Sequence, residues 1–270
     1  MKTKGKFLTY LGGSLIAFVT FVAVLAPFLT SYDPTEMVLR QRFLLPSFLH
    51  LMGTDQNGID IFAQIVYGAR VSLIISISVV SISLFIGLMI GSAAGYCGGW
   101  VDLIIMRIID MIYAFPGFLL ILTIAAVMQS SSLGTLIFIL CLTGWASYAR
   151  LIRGEILHLK KKDYVMSADA MGAGPLRKLI LYIWPNLVGP VMIQASFGMA
   201  VTILTESSLS FLGLGVPPST PTWGSLLSSG RNYLLEAPHI SLFPGLALLI
   251  VVLGFNLLGD GLRDLLDPKI

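Results

Sequence analysis

The sequence has 270 residues, of which 56% are hydrophobic and only 11% are charged, and its formal net charge at pH 7 is +3. This composition, with a mean hydropathy of +0.88, excludes an ordinary soluble domain and indicates an integral membrane protein. The small net charge requires no nucleic-acid partner, because the basic residues flank the apolar segments. A chain of this length has room for about five or six spans, and its long apolar runs favour helices over barrel strands.

Six apolar runs divide the chain into predicted spans of a single all-α membrane domain, residues 1–270. The first run follows Lys6 and is too long for the apolar core of a signal peptide, so we expect it to stay uncleaved. The second contains three glycines spaced by four residues, which either allow another helix to approach closely or simply leave one face without side chains. The third contains Pro116, where we expect a kink or a break. The spans are predicted at residues 8–29, 71–96, 108–128, 135–148, 187–212 and 242–258.

Three long polar connections join these spans. In the first, residues 31–70, apolar side chains gather on one side between Ile59 and Ala69, which predicts an amphipathic helix at the membrane interface. The others are residues 151–185 and the Pro- and Gly-rich residues 213–241. Thirteen of the 17 lysines and arginines lie on the side of the amino terminus and four on the other. The positive-inside rule therefore places both termini and residues 151–185 in the cytoplasm and the other two connections outside.

The connection at 151–185 has the pattern of a helix-turn-helix. Asp163 is expected to cap the first helix through the N–H groups of its first turn, and Gly172 is expected to end it with a left-handed cap. Pro175 suits the first turn of a second helix, which we expect to end at Trp184-Pro185. The apolar stripes that predict these helices are Tyr164, Val165, Ala168 and Met171, and then Leu176, Leu179, Ile180 and Ile183.

This connection resembles the EAA loop of ABC-importer permeases, a pattern of Glu-Ala-Ala, three residues, Gly, about nine residues and Ile-x-x-Pro. Gly172 and the Ile183-Trp184-Pro185-Asn186 stretch match the pattern, but Met166 stands where the family has its acidic residue. Further motifs narrow the resemblance to the second permease subunit of dipeptide, oligopeptide and nickel importers, although the arginines that this branch usually shows beside Asp60 are absent here. These motifs lie at residues 53–60, 67–73, 209–215, 223–224 and 256–264.

The resemblance implies a bacterial inner-membrane permease that forms half of an ATP-driven import pathway. Di- or oligopeptides are the expected cargo, with nickel or a metal chelate as the alternative. The implied partners are a second permease subunit in a heterodimer, two ATPase subunits at the cytoplasmic face and an external substrate-binding protein. The helix near 164–171 is expected to dock in a groove of the ATPase, more through apolar contact than through an ion pair. The expected coupling residues are Tyr164, Ala168, Asp169, Met171 and Gly172.

The sequence shows no pattern of catalytic, cofactor or metal chemistry. It contains no G-x-x-x-x-G-K-[ST] phosphate loop, so ATP is expected to bind separate subunits. The three histidines and two cysteines are scattered without metal-ligand spacing. We therefore expect a pathway subunit that is not itself an enzyme and has no cofactor. A secondary transporter is the competing class, but such proteins usually need several ionisable groups inside the membrane.

Glu206 is the one carboxylate well inside a predicted span. A charge at that depth is costly, so the side chain is expected to face the bundle and to have either a partner or a proton. Two roles remain open. Glu206 either lines the pathway as a gating residue or forms an interhelical hydrogen bond, helped by Thr205 and Ser207, and the hydrogen-bonding role is the preferred one.

Overall fold

The computed structural model describes residues 2–128, 132–217 and 219–266, and within these ranges every regular element is helical. The helices are α1 (Lys2–Val24), α2 (Ala26–Leu29), α3 (Ile61–Cys97), α4 (Gly99–Tyr113), α5 (Gly117–Met128), α6 (Leu133–Leu159), α7 (Asp163–Ala170), α8 (Pro175–Lys178), α9 (Trp184–Phe211), α10 (Trp223–Gly230) and α11 (His239–Leu266). Two 3-10 turns lie at Leu39–Gln41 and Arg231–Tyr233, and a π-helical segment, Leu179–Ile183, joins α8 to α9.

Five of the described helical segments are long and apolar enough to cross a membrane, and α4 with α5 adds a sixth if the bent pair counts as one span. The axes of α4 and α5 differ by 82°. Pro116 lies at this break, and its carbonyl accepts a hydrogen bond from the Leu120 N–H (3.0 Å) as α5 begins. The predicted kink is confirmed, and the all-α fold with about six spans is confirmed with it.

The predicted interfacial helix before the second span is not a separate element. Residues 61–69 form the first turns of α3, which Asp60 caps by accepting a hydrogen bond from the Ala63 N–H (2.7 Å). The apolar side of this segment is buried inside the protein, where Ile61 and Ile65 belong to the core around Trp223. The predicted helix is therefore present and leads into the span, its apolar side contacts the rest of the chain, and its position at the membrane interface stays a prediction.

The predicted fourth span ends too early, because α6 continues to Leu159. One side of the added turns is buried at Ile152 and Ile156. The charges that suggested a loop lie on another side of the same helix. There Arg153 donates from Nε and Nη2 to the carboxylate of Asp102 (2.5 and 2.6 Å), and Arg150 pairs with Asp110 (2.6 Å). Charged residues on one face of a helix therefore cannot be distinguished by sequence from the charged residues of a loop.

The glycines of the second predicted span allow α3 to approach α6 closely. A Cβ atom on Gly91 would lie 2.6 Å from the carbonyl oxygen of Ala149, and a Cβ atom on Gly87 would lie 2.9 Å from the backbone nitrogen of Ala149. A Cβ on Gly95 would likewise meet the Arg153 carbonyl oxygen at 3.0 Å. Of the two interpretations that the sequence left open, close helix packing is therefore the correct one.

The bundle has two ends of different character. The cap end is formed by residues 31–60, 213–217 and 219–238, and its core holds Trp223, whose indole N–H donates to the Ile65 carbonyl (3.1 Å). The basic end comprises the start of α1, the turn after α3, residues 160–174 and the end of α11. Gly5 packs against Asp264 there, and Lys160 donates from Nζ to the Tyr96 carbonyl (2.9 Å).

Candidate functional site

The polar hairpin, defined as residues 160–186, begins with α7, which ends in a Schellman motif. Gly172 has a φ of +79°, so the predicted left-handed cap is confirmed. Its N–H donates to the Asp169 carbonyl (2.9 Å), and the N–H of Ala173 donates to the Ala168 carbonyl (3.0 Å), as this motif requires. A Cβ on Gly172 would meet no atom within 4 Å, so position 172 favours glycine because of the backbone angle and not because of packing.

The start of α7 differs from the prediction. Asp163 is the first helical residue, and the capping position belongs to Lys162, which makes no side-chain cap hydrogen bond. The Lys162 carbonyl accepts the first hydrogen bonds of the helix, from the N–H groups of Val165 (3.0 Å) and Met166 (3.1 Å). Asp163 therefore does not cap the helix. Its carboxylate lies in the first turn, where a negative charge favours the helix dipole.

The predicted apolar stripe of α7 divides between two faces. Val165 and Ala168 point inward, and Ala168 is 0% exposed, so it is not part of an accessible docking face in this structure. The other face leaves Tyr164 half-exposed and Met171 at the following turn 76% exposed, and Met166 is exposed on a further side. Because the hairpin folds back onto its own span, the helix needs one apolar side for the chain itself and retains only the other for a partner.

The inward face of α7 joins the hairpin to two spans. Val165 packs in one buried cluster with Ile156 and Leu159 of α6, Ile183 of the π-helical segment and Leu187 of α9. The inward face of α7 therefore shares a buried cluster with the end of α6 and the beginning of α9.

Basic side chains attach the hairpin to a third span. Lys178 forms an ion pair with Asp169 and lies over the Tyr96 ring, 5.8 Å from its centroid. Lys160 lies over the same ring at 5.0 Å. Tyr96 is the penultimate residue of α3. Asp169, one of the predicted coupling residues, is thus exposed but already paired within the chain.

The second half of the hairpin leads into a span without interruption. The predicted end at Trp184-Pro185 is wrong, because α8, the π-helical segment and α9 form one helical segment, Pro175–Phe211. Pro185 lies in the first turn of α9, where a missing N–H is tolerated. Of the predicted stripe, Ile183 is buried, whereas Leu176 and Ile180 stay exposed. The hairpin and the fifth span are therefore mechanically continuous.

Glu206 lies five residues before the end of α9, close to the cap end, and is 1% exposed. The hydroxyl of Ser210 donates to its Oε1 (2.8 Å), and the hydroxyl of Ser207 donates to its Oε2 (3.3 Å). Ser72 of α3 donates to the same Oε2 at 3.5 Å. The expected partners are thus present, and one of them lies on another helix, which favours the hydrogen-bonding role.

The partners of Glu206 differ in two ways from the expectation. Thr205 takes no part, because its hydroxyl donates to the Val201 carbonyl of its own helix (2.8 Å). No lysine or arginine pairs with Glu206 among the residues that the structure describes. A carboxyl group held only by neutral hydroxyls is well suited to structural bonding between helices, and no contact of Glu206 points to gating.

The cap end contains a polar cluster to which the sequence alone assigns no role. Asp55 accepts hydrogen bonds from the N–H groups of Asn57 (2.8 Å) and Ile59 (2.9 Å), and burial raises its pKa. His50 Nδ1 lies 2.9 Å from the Asp60 carboxylate that caps α3. Ile59 is buried beside them. The motif at 53–60 therefore builds a compact turn, and no local signal indicates that its carboxylates are internal.

Comparisons with known proteins match most of the chain. Residues 87–270 match the family described as "binding-protein-dependent transport system inner membrane component". The chain is 40% identical over 263 residues to the dipeptide transport system permease protein DppC of Alkalihalophilus pseudofirmus, covering 97% of this chain and 86% of the relative. It is 40% identical to the glutathione transport system permease protein GsiD of Pectobacterium atrosepticum, over 96% and 86%. It is 36% identical to the oligopeptide transport system permease protein OppC of Bacillus subtilis, over 100% and 88%.

Proposed function

This chain belongs to the family of binding-protein-dependent transport system inner membrane components, and from that premise we propose that it is the membrane-spanning permease subunit of an ATP-driven importer of di- or oligopeptides. The observation that carries the proposal is similarity over nearly the whole chain to permeases named for dipeptide, glutathione and oligopeptide transport. All three cargoes are peptides, which favours a peptide over nickel or a metal chelate.

The chain forms half of the translocation pathway, and a second permease subunit supplies the other half in a heterodimer. Two ATPase subunits bind the basic end, and an external binding protein delivers the peptide to the cap end. The clustering of lysine and arginine at the basic end supports a cytoplasmic location for it in the bacterial inner membrane. ATP hydrolysis takes place in the ATPase subunits, and this chain contributes the pathway and the coupling.

The outward face of α7 is the coupling surface. Tyr164 and Met171, seven residues apart, lie on one side of α7 and are exposed at the basic end, whereas the exposed Met166 lies on another side. The side with Tyr164 and Met171 suits a hydrophobic groove on a partner. The long, soft side chains of methionine adapt to such grooves. Ala168 contributes from the inside, because its burial fixes the distance between α7 and the bundle.

Coupling follows the contacts of the hairpin. Movement of a docked α7 acts on α6 and α9 through Val165, and on α3 through Lys160 and Lys178 at Tyr96. The helical continuity of Pro175–Phe211 carries the same movement toward the cap end. A change in the ATPase therefore tilts three spans together.

The proposal is tested by affinity purification of the chain, co-expressed with its partners, followed by reconstitution into liposomes with ATP. We expect the ATPase subunits to co-purify and a dipeptide or tripeptide to accumulate only when ATP and the binding protein are present. Accumulation of nickel without peptide uptake, or uptake driven by an ion gradient without ATP, would contradict the proposal.

Raising the salt concentration and introducing a charge at Met166 distinguish apolar docking of the ATPase on α7 from docking through ion pairs. If docking is apolar, the ATPase stays bound as salt is raised, and Met166→Glu is tolerated because it restores the family's acidic residue at an exposed position away from the side of α7 that holds Tyr164 and Met171. An interface held by ion pairs would instead dissociate with increasing salt. Dissociation of the unmodified assembly at moderate salt would refute the apolar docking surface while leaving the import function intact.

A further inference from the structure

A cavity of about 250 Å³ lies among α3, α6 and α9, within the membrane-spanning part of the bundle. Its lining surface is mostly apolar but carries several polar groups. It includes hydroxyl groups from all three helices and the amide of Gln194, but no charged side chain. The hydroxyl-bearing residues are Ser83, Thr143, Ser147, Tyr148, Thr202 and Thr205.

Two of these hydroxyls are buried without an oxygen or nitrogen partner in the described part of the chain. Tyr148 Oη has no hydrogen-bond partner, and Ser83 Oγ has no oxygen or nitrogen partner but lies beside the Cys141 thiol, a weak hydrogen-bonding group. By contrast, the hydroxyls of Ser147 and Thr205 donate to carbonyls of their own helices (3.1 and 2.8 Å). A buried hydroxyl that stays unpaired costs free energy, which is recovered when a ligand pairs with it.

The backbone makes room for both unpaired hydroxyls. A Cβ atom on Gly198 of α9 would collide with the Tyr148 hydroxyl, and a Cβ on Gly144 of α6 would lie 2.6 Å from Ser83 Oγ. Each hydroxyl is thus held against a glycine on a neighbouring helix. This arrangement fixes their positions without consuming their hydrogen-bonding capacity.

The cavity opens toward the outside of the bundle, where Val201 at its mouth is 61% exposed. A polar opening toward lipid is disfavoured, because hydrocarbon offers no hydrogen bonds. The separate groove formed by Ile82, Ile86 and Leu142 on α3 and α6 is lined almost entirely by apolar residues and suits lipid. Gln194, Thr143 and Ser147 in the lining are partly exposed, and these polar side chains are therefore better suited to face the second permease subunit across the pathway than to face lipid.

We propose, on the basis of the proposed import function, that this cavity is one wall of the pathway and that Tyr148, Ser83 and Gln194 hydrogen-bond the main-chain amides of the peptide in transit. Every peptide unit carries one donor and one acceptor irrespective of its side chain. Neutral hydroxyl and amide groups match those units without selecting for charge. The volume is smaller than the roughly 300–1,000 Å³ of a complete ligand site, as expected if the second subunit supplies the opposite wall.

The decisive variant is Tyr148→Phe, tested in the complete assembly in liposomes. It removes only the hydroxyl, so a purely structural Tyr148 would leave uptake unchanged. We expect peptide uptake to fall by about tenfold, equivalent to one lost hydrogen bond of about 1.4 kcal/mol in the transport barrier, with an unchanged or higher unfolding temperature and full retention of the ATPase. Tyr10→Phe on the exposed side of α1 is the matched control and should change nothing.

A peptide with N-methylated main-chain nitrogens tests the assigned chemistry. We expect the original assembly to import it more slowly than the parent peptide, and Tyr148→Phe to reduce that difference, because the lost partner is the same. Unchanged uptake in Tyr148→Phe, or a loss accompanied by a lower unfolding temperature, would overturn the proposal. Absence of ATP-driven uptake by the original assembly would instead refute the import function itself.

Cysteine labelling tests access independently of transport. In a background with Cys97→Ser and Cys141→Ala, Gln194→Cys should react with a hydrophilic thiol reagent, and the transported peptide should slow the reaction at least severalfold during ATP turnover. Ile86→Cys in the apolar groove is the control and should stay unlabelled. Lack of labelling at position 194, or labelling that the peptide does not affect, would contradict the pathway assignment.

Discussion

At the cap end, the side chain of Trp223 is 1% exposed and its indole N–H is hydrogen-bonded within the chain, whereas at the basic end Met171 is 76% exposed. The cap end places carboxylates such as Asp55 inside and gives them backbone donors. Both ends also leave apolar side chains outside, at Phe48 and Leu235 of the cap end and at Met171 of the basic end. The useful comparison is therefore between buried and exposed positions, because a substitution at a buried position should change stability and one at an exposed apolar position of α7 should change association.

The largest effect is expected at the cap end. Trp223→Ala should lower the free energy of unfolding by about 3–5 kcal/mol, because it empties a core position and leaves the Ile65 carbonyl without its donor. Thermal unfolding of the purified permease in detergent measures the loss. Trp100→Ala is the control, since Trp100 is largely exposed, and should stay within about 0.5 kcal/mol. Equal losses in both variants would remove the distinction between buried and exposed positions.

The two faces of α7 allow the sharpest comparison at the basic end. Ala168→Asp should cost about 2–4 kcal/mol, because it places a charge where the side chain is fully buried. Met171→Asp should cost less than about 0.5 kcal/mol and should still release the ATPase subunits. Unfolding temperature and ATPase retention are measured on the same samples. If Met171→Asp is as destabilising as Ala168→Asp, the exposed face is not a surface reserved for a partner.

Substitutions of Glu206 test whether its carboxyl group stabilises the fold by hydrogen bonding. Glu206→Leu removes the acceptor of three hydroxyls and should lower the free energy of unfolding by about 1–3 kcal/mol. Glu206→Gln retains a carbonyl oxygen and should preserve both stability and transport. Loss of transport in the glutamine variant, at normal expression and stability, would instead indicate a gating role that depends on the carboxyl group.

Gly172 separates backbone strain from packing at the basic end. Gly172→Val should cost about 1–2 kcal/mol because a branched residue is strained at positive φ, and it should loosen coupling while the protein still inserts. Gly174→Val is a matched control, since Gly174 has a φ of −66° and equally open surroundings. Normal ATP-driven uptake and stability in Gly172→Val would show that the left-handed cap is dispensable.

The smallest effect concerns Asp55. Burial raises its pKa, so the folded chain holds this proton more tightly than the unfolded chain, and the free energy of unfolding falls as pH rises from the ordinary aspartate value through the raised one. Asp55→Asn should remove that fall, because the amide does not titrate in this range. Gln64 Nε2 now donates to Asp55 Oδ2 (3.3 Å), and if the Gln64 amide turns over, its unpaired oxygen can accept from the new amide instead. The variant should then be stabilised by up to about 1 kcal/mol at pH 7. Unfolding temperature measured between pH 4 and 8 tests this.

Asp33 provides a control with the opposite sign. Hydrogen bonds from the hydroxyl and N–H of Thr35 lower its pKa, so its contribution is present above the ordinary aspartate value and is lost as pH falls through the lowered one. Asp33→Asn should therefore leave the pH dependence of the unfolding temperature between pH 5 and 8 unchanged. A change in that range for Asp33→Asn, or no change for Asp55→Asn, would contradict these assignments.

Local chemistry made several elements predictable from sequence. The apolar runs located the spans, Pro116 marked the break between α4 and α5, and Gly172 marked the end of α7. Each of these predictions depends on one residue type or on a short stretch of sequence. Hydropathy, the missing N–H of proline and the positive φ of glycine determine the local structure without contacts from distant residues. The coupling residues and the orientation stay predictions, because they depend on contacts with a partner and with the membrane.

What the tertiary structure decided concerns contacts between distant positions. Ser72 reaches Glu206 across 134 residues of sequence, and Val165 is buried because the hairpin folds back toward α6 and α9. The sequence determined that α7 has apolar side chains, but only the packing of three spans determined which of them remain outside. The same holds for Tyr148, whose unpaired hydroxyl is visible only when α9 lies beside it, because burial and hydrogen bonding depend on neighbours that no local pattern identifies.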